Sequence, residues 1–522
     1  RLYRRTTDLA GAYPTLLRQT KAEILELSFA SELEVLVSDL KRIADADRRT
    51  RDYTVFAMRR AIVEIVARFP VYRSYVTDEP VSAEDHSLIE GAVEAAKRRS
   101  ALPDRTVHDF AAAALLGEIE TEGPGRPSGE DVRRFRRRFQ QLTGPVMAKS
   151  LEDTLFYRYV RLVSLNEVGG DPGHFGLSLS DFHAANTERA RDWPYAMIAT
   201  ATHDTKRGED ARARLAALSE MPDRWREAVH RFEALCRPHL ATVAHRPAPD
   251  ANDRYLLLQA LLGAWPLDLL DGGNEAEAFR ERMEGYLLKA LREAKRHTSW
   301  VHGNERYEAA ATGLLAALLG PESGFLDAFR PLARTLALVG TVNGLSRTVL
   351  KLTLPGIPDI YQGTEFWDLA LVDPDNRRPV DYEARARALA DETPAEALLA
   401  AWPDGRIKQR VTTRLLKDRA AHPALYADGD YRPLAARGEH ARRVAAFTRE
   451  HGGERLLVAV PRLVSPLMRD DRLPLGPEAW GDTGLPLPPG DWRDAITGAP
   501  ASEGSLGELF RALPIAVLRT GT

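Results

Sequence analysis

Cysteine is almost missing from this sequence. Cys236 stands alone in 522 residues. No intramolecular disulfide can form, and no Cys/His grouping has zinc spacing. Such cysteine usage makes a reducing, cytoplasmic setting the default expectation. Long apolar runs are missing too. No stretch approaches the roughly 20 residues of a membrane span, and no signal peptide is visible. Neither charge dominates: 72 Lys and Arg face 75 Asp and Glu, for a net charge of −3. That balance argues against a nucleic-acid or anionic-membrane partner. The basic run Arg133–Arg138 reads as a solvated helix face. The chain also lacks an initial methionine, opening RLYRRTTDLAG, as a piece of a longer product would.

What is present is an ordinary globular balance, 44% hydrophobic and 28% charged, at a length that implies two or three domains. The first part reads as helical. Leu33, Leu36, Val37, Leu40 and Ile43 recur at three- and four-residue steps, and Val55, Phe56, Ile62, Val63, Val66 and Phe69 do likewise until Pro70. TEGPGRPSGED is a loop. Pro145–Ala148 is a short strand candidate, ending in Lys149. LSLSDFHAANTERARDW is a helix with a Ser or Asp start signal, and YAMIATAT is a strand. Residues 208–330 are mostly helix, with SWVHGNERYE a conspicuous loop. Residues 331–350 form an apolar helix, broken near Pro355. From about Arg443 the texture changes to short strands, RVAAFTR, ERLLVAVPRL and LPIAVLR, divided by Gly/Pro turns. Strand, polar terminus and helix in repetition indicate an α/β fold with its site at the carboxyl ends of the strands, followed by a small all-β domain.

Four clusters sit where such a site would be. The first is ATATHDTKRGED, with His203, Asp204, Lys206 and Arg207. Asp204 suits a helix N-cap, with Glu209 and Asp210 favouring the helix dipole; it suits equally a group that holds sugar hydroxyls or moves a proton. The second is AKSLEDT, with Lys149, Glu152 and Asp153, which reads as an acidic helix start or as part of a site. The third is PGIPDIYQGTE, with Tyr361, Gln362 and Glu365, a strand-exit loop or a lining. The fourth is DPDNRRPVD. Asp375, Asn376, Arg377 and Arg378 form a dense hydrogen-bonding group, a solvated loop or a match for vicinal hydroxyls.

Taken together, TGPVMAKSLEDTLFYRYVRLVSLNEVGGDP, TATHDTKRGEDARARL, LKLTLPGIPDIYQGTEFWDLALVDPDNRRPVDY and WGDTGLPLPPGDWRDAITG resemble the maltooligosyl trehalose synthases, a branch of the α-amylase superfamily (glycoside hydrolase family 13). The resemblance runs over essentially the whole chain. It implies the C-terminal part of a (β/α)8 barrel with large helical insertions, then a small β-sandwich domain. The implied segments are a helical insertion over 1–142, the barrel strand 6–7 region over 143–207, a second insertion over 208–330, the strand 8 region with closing helices over 331–435, and the β domain over 436–522. It implies an intramolecular transglycosylation that turns the reducing-end α-1,4 bond of a maltooligosaccharide into an α,α-1,1 bond, without metal or organic cofactor, in trehalose biosynthesis beside a maltooligosyl trehalose trehalohydrolase.

The same resemblance implies roles. Asp204 would be the third catalytic carboxylate. His203 would bond the reacting sugar, and Lys206 and Arg207 would line the acceptor side. VMAK would be the sixth-strand region, placing Lys149, with Glu152, at the site. Tyr361, Gln362 and Glu365 would follow the eighth strand, and Asp375, Asn376, Arg377 and Arg378 would add sugar contacts. The family's nucleophile and acid lie in motifs of earlier strands, and neither motif is found here. The chain is therefore expected to be inactive alone, because glycosidic chemistry of this kind uses two carboxylates that flank the bond. A related α-glucan hydrolase, of amylase or trehalohydrolase type, a non-catalytic maltooligosaccharide-binding protein and one subunit of a split enzyme are the alternatives.

Overall fold

The computed structural model describes residues 2–7, 11–270, 276–469 and 471–520. Its packing divides the chain into two units, Arg1–Thr7 with Val160–Leu291 and Gly303–Thr522, and Asp8–Tyr159 with Arg292–His302.

The second of these is helical. Leu33, Leu36, Val37, Leu40 and Ile43 point from the helix Ala30–Asp45 into its core. Thr54 caps the helix Val55–Val66 through the Ala57 N–H, which satisfies one orphan donor. Val55 and Phe56, read as part of its apolar face, are exposed, while Ile62, Val63 and Val66 are buried.

The basic run is not simply solvated. On the helix Gly129–Met147, Arg138 and Arg134 reach the buried Asp39 carboxylate at 2.6 and 3.2 Å, and Arg136 is itself buried, pairing with Asp78 at 2.7 Å. Nor is Pro145–Ala148 a strand, so no sixth-strand region lies at VMAK. Phe135, Phe139, Leu142 and Val146 keep a helical stripe buried straight through Pro145. The chain then widens into a π-helix over Ala148–Leu155, in which the Thr154 hydroxyl donates to the Lys149 carbonyl five residues back, at 2.9 Å.

The other unit holds every described strand. β1 (Met197–Ile198) ends the segment that follows the helix Leu179–Asp192, capped by Ser178. β2 (Ala241–Val243) and β3 (Arg246–Ala248) form a hairpin. β4 (Ile357–Pro358) lies parallel to β1, Met197 opposite Ile357. It follows the 29-residue helix Phe325–Thr353.

The remaining strands are β5 (Asp430–Leu434), β6 (Val444–His451), β7 (Glu454–Pro461), β8 (Trp492–Asp494), β9 (Pro500–Ala501) and β10 (Ala516–Thr520). They make one antiparallel sheet in the order β5-β6-β7-β10-β8-β9. The expected sandwich is thus a single six-stranded sheet, and it starts at Asp430, ahead of the expected 436. Both its faces are apolar. Leu456 and Val458 pack with Val349 and Leu415 of the helices, whereas Leu457 and Ala459 pack with Trp480, Trp492 and Phe510. A sheet covered on both sides needs no second sheet to bury it.

Candidate active site

The turn after β1 carries His203 and Asp204, and both side chains are exposed. Its backbone is held from within by the Thr205 hydroxyl, which donates to the Thr202 carbonyl at 3.0 Å, and by the Asp204 N–H, which donates to the Thr202 hydroxyl at 3.2 Å. From outside, Asn376 donates to the His203 carbonyl at 3.0 Å and Arg377 to the same oxygen at 3.4 Å. The fourth cluster thereby meets the first.

Asp375 stands behind that contact. Arg282 bonds its two carboxylate oxygens at 2.8 and 3.0 Å, and the Leu371 N–H donates to it at 2.8 Å. Burial pushes this carboxyl up, but the Arg282 guanidinium and Arg378 more than offset it and leave it lowered.

Past the turn the charges are buried. Gly208 N–H donates to the Ala370 carbonyl at 2.7 Å, and a Cβ at Gly208 would lie 2.5 Å from the Asp368 carbonyl and carboxylate oxygens. Lys408 reaches Glu209 and Asp210 together, each at 2.6 Å. Arg347 bonds Asp210 at 2.8 Å and Lys351 approaches Glu209 at 3.4 Å; the Thr200 hydroxyl donates to Glu209 as well. Burial would raise the Glu209 carboxyl, yet the charges of Lys408, Arg347 and Lys351 hold it well below its ordinary range. Burial opposes the charge on Lys408, and Asp210 and Glu209 overcome it to raise its pKa. Lys351, with less compensation, is lowered by burial. Asp368 is raised, by burial and then by the Asp210 charge beside it. Cys236 offers no nucleophile, since burial pushes its thiol up to about 12.

No protein-family model matches the chain. A curated relative from Mycobacterium tuberculosis, named "Putative maltooligosyl trehalose synthase", is 42% identical over 384 residues, 73% of this chain and 45% of the relative. The structure of maltooligosyltrehalose synthase from Arthrobacter ramosus matches with a TM-score of 0.79 and 33% identity, over 100% of this chain and 60% of that one. The "hypothetical maltooligosyl trehalose synthase" of Sulfolobus tokodaii matches with a TM-score of 0.74 and 27% identity, over 99% of this chain and 59% of its own.

This chain belongs to the maltooligosyl trehalose synthase family.

It spans under half the length of the curated relative and about three fifths of the solved ones. Within this member of the family, the residues read from sequence do not all come together. His203, Asp204, Asn376 and Arg377 come together as described. Lys206 and Arg207, expected to face an acceptor, are buried. The Arg207 guanidinium donates to Tyr286 at 2.9 Å and to the Val163 carbonyl at 3.3 Å. Arg378 pairs with Asp375 at 2.9 Å and keeps its side chain half exposed.

Tyr361 turns the chain after β4, its carbonyl accepting from both the N–H and the hydroxyl of Thr364. Gln362 is exposed, and Glu365 pairs with Arg385 at 3.1 Å. Lys149 and Glu152 belong to the helical unit. Lys149 is mostly exposed and pairs with Asp153 at 2.6 Å, while Glu152 is buried and accepts from the Tyr72 hydroxyl.

Sequence reading missed Lys408, Lys351, Arg347 and Glu167. The adjacent acids Glu209 and Asp210 were a signal that buried cations had to be found for them. Nothing local pointed to Lys408, 198 residues from Asp210.

Among the described residues, no helix is long and apolar enough to cross a membrane.

Proposed function

We propose that this chain carries the sugar-holding part of a maltooligosyl trehalose synthase, a (1→4)-α-D-glucan 1-α-D-glucosylmutase. The reaction moves the reducing-end glucose of a maltooligosaccharide from an α-1,4 to an α,α-1,1 linkage. β1 and β4, parallel and adjacent, would be the last two strands of its barrel. A nucleophilic carboxylate forms a glycosyl-enzyme while a carboxylic acid protonates the leaving oxygen. The released glucose stays bound, turns, and attacks through its anomeric hydroxyl before water can. Asp204 would hold hydroxyls of the reacting sugar and stabilise positive charge at its anomeric carbon, with His203 beside it. The product has no reducing end, so the class of enzyme that consumes it is a trehalohydrolase.

One observation supports this reading above the others. Asp204 and His203 are the polar side chains that the turn leaves exposed at the end of a parallel strand, while the charges that follow are buried and paired. The two carboxylates of the bond-breaking step are not assigned among these residues, so the isolated chain is expected to bind maltopentaose without converting it. Reducing-end and product-length assays decide the matter. A purified 522-residue chain that makes a non-reducing sugar would overturn the expectation of inactivity. Supplied with the polypeptide that its longer relatives have in addition, it is expected to lower reducing power without shortening the glucan. A rise in reducing power would instead identify a hydrolase.

A further inference from the structure

Glu167 is buried, 8% exposed, and lies just beyond the short helix Val163–Leu165. Its carboxylate accepts three backbone N–H groups: Val168 at 2.9 Å, Lys206 at 2.7 Å and Arg207 at 3.2 Å. Arg212 Nε lies 3.5 Å from the same carboxylate, and the Arg212 guanidinium also donates to the Thr200 carbonyl. One buried anion therefore ties the segment before β1 to the two residues that follow the Thr205 turn. Through Arg212 it reaches Thr200, two residues ahead of Thr202, where that turn begins.

The opposite side is held by Asn376, whose amide donates to the His203 carbonyl at 3.0 Å and to the Thr205 carbonyl at 3.5 Å. None of this grip passes through the side chains of His203 or Asp204. A carboxylate bonded to N–H groups makes charge-assisted bonds, roughly twice as strong as neutral ones. An amide in its place keeps one acceptor and turns an NH2 toward a backbone donor.

We infer that Glu167 is a positioning residue for Asp204. It fixes where the Asp204 carboxylate stands before any sugar arrives, and it acts through the backbone of Lys206 and Arg207. This rests on the reading of Asp204 as the carboxylate that holds the reacting sugar. Displacing such a group by about 1 Å can cost on the order of a hundredfold in a reaction it supports, and binding to a preformed site avoids the cost of ordering it.

The test uses the 522-residue chain and maltopentaose, with affinity measured by calorimetry for wild type, Glu167→Gln, Asp204→Ala and the double variant. Each single change is expected to weaken binding. The double variant is expected to bind no more weakly than Asp204→Ala, because an effect that runs through Asp204 disappears with it. Additive losses would overturn the inference and leave Glu167 a structural residue. Glu167→Asp, which keeps the charge but shortens the reach to the Lys206 and Arg207 N–H groups, should show the same non-additivity and serves if Glu167→Gln fails to fold.

Amide hydrogen exchange without sugar reads the turn directly. The Lys206 and Arg207 amides are expected to exchange on the order of tenfold faster in Glu167→Gln, the loss of about one hydrogen bond; unchanged protection refutes the positioning. If wild type does not bind, or Asp204→Ala binds as wild type does, the functional reading falls. The exchange result still decides whether Glu167 holds the turn.

Discussion

Asp204 and Asp210 lie six residues apart in sequence, carry the same side chain, and differ in everything around it. Asp210 is 4% exposed. Its oxygens are taken by Lys408 at 2.6 Å, Arg347 at 2.8 Å and the Asp368 N–H at 2.8 Å. Nothing is left for a ligand. Asp204 is exposed, and the protein grips the backbone beside it instead. A carboxylate whose bonds are filled by its own chain builds structure. One whose main chain is held while its oxygens face outward is free to recognise something else. Charge alone does not separate these roles; what separates them is which atoms the fold satisfies.

The comparison breaks most visibly at Lys408. Lys408→Ala would leave two buried carboxylates without their shared cation and should destabilise the protein by about 3–5 kcal/mol, read as a lowered thermal midpoint. A variant with wild-type stability would mean that Arg347 and Lys351 suffice.

Acid provides the next largest effect. The Glu209 carboxyl is lowered in the folded state, so its stabilisation is complete above its unfolded value, near 4.5, and is lost as pH falls from there toward the folded value. Asp368, raised by burial and by Asp210, works in the opposite sense. Glu209→Gln should therefore be less stable at pH 7 and lose less on acidification, by denaturant unfolding across that range. An acid limb as steep as that of wild type would assign the loss to other groups.

Lys149→Ala, which removes an exposed ion pair one helical turn long, is expected to cost about 0.3–0.5 kcal/mol in the same unfolding experiment. A loss above about 1 kcal/mol would place this pair outside the range of surface ion pairs. Smallest in stability, within about 0.5 kcal/mol, is Asp204→Ala, and it alone of these four changes should be read mainly in maltopentaose affinity. A large stability loss there would erase the contrast with Asp210.

Local pattern made part of this visible in the sequence. The stripe Leu33, Leu36, Val37, Leu40 and Ile43 is buried as its period requires, and VAAFTR and RLLVAV pair as neighbouring strands. Pro145–Ala148 misled because four apolar residues carry too little periodicity to distinguish a strand from a helix, and the decisive stripe begins ten residues earlier, at Phe135. The tail differs for another reason: the family resemblance implied a sandwich, but helices and loops, not a second sheet, cover the two faces of β6 and β7. In the turn after β1, His203 and Asp204 are exposed as a strand-end cluster requires, while Lys206 and Arg207 are not. The bonds that decide their roles were not legible in the sequence, because Lys408 and Asn376 come from distant segments, and Arg207 gave no local sign of being buried.

Gly208 sets a boundary for anyone who would redesign this turn. Its backbone angle suits most residues (φ −54°), so the restriction is one of space. The Asp368 oxygens occupy the place of a first side-chain carbon. Positions 203 and 204 present exposed side chains and have room for other residues. One step downstream of the buried Arg207 anchor, the alphabet shrinks steeply toward a single letter, and a randomised library would spend most of its diversity there on chains that cannot close around Asp368.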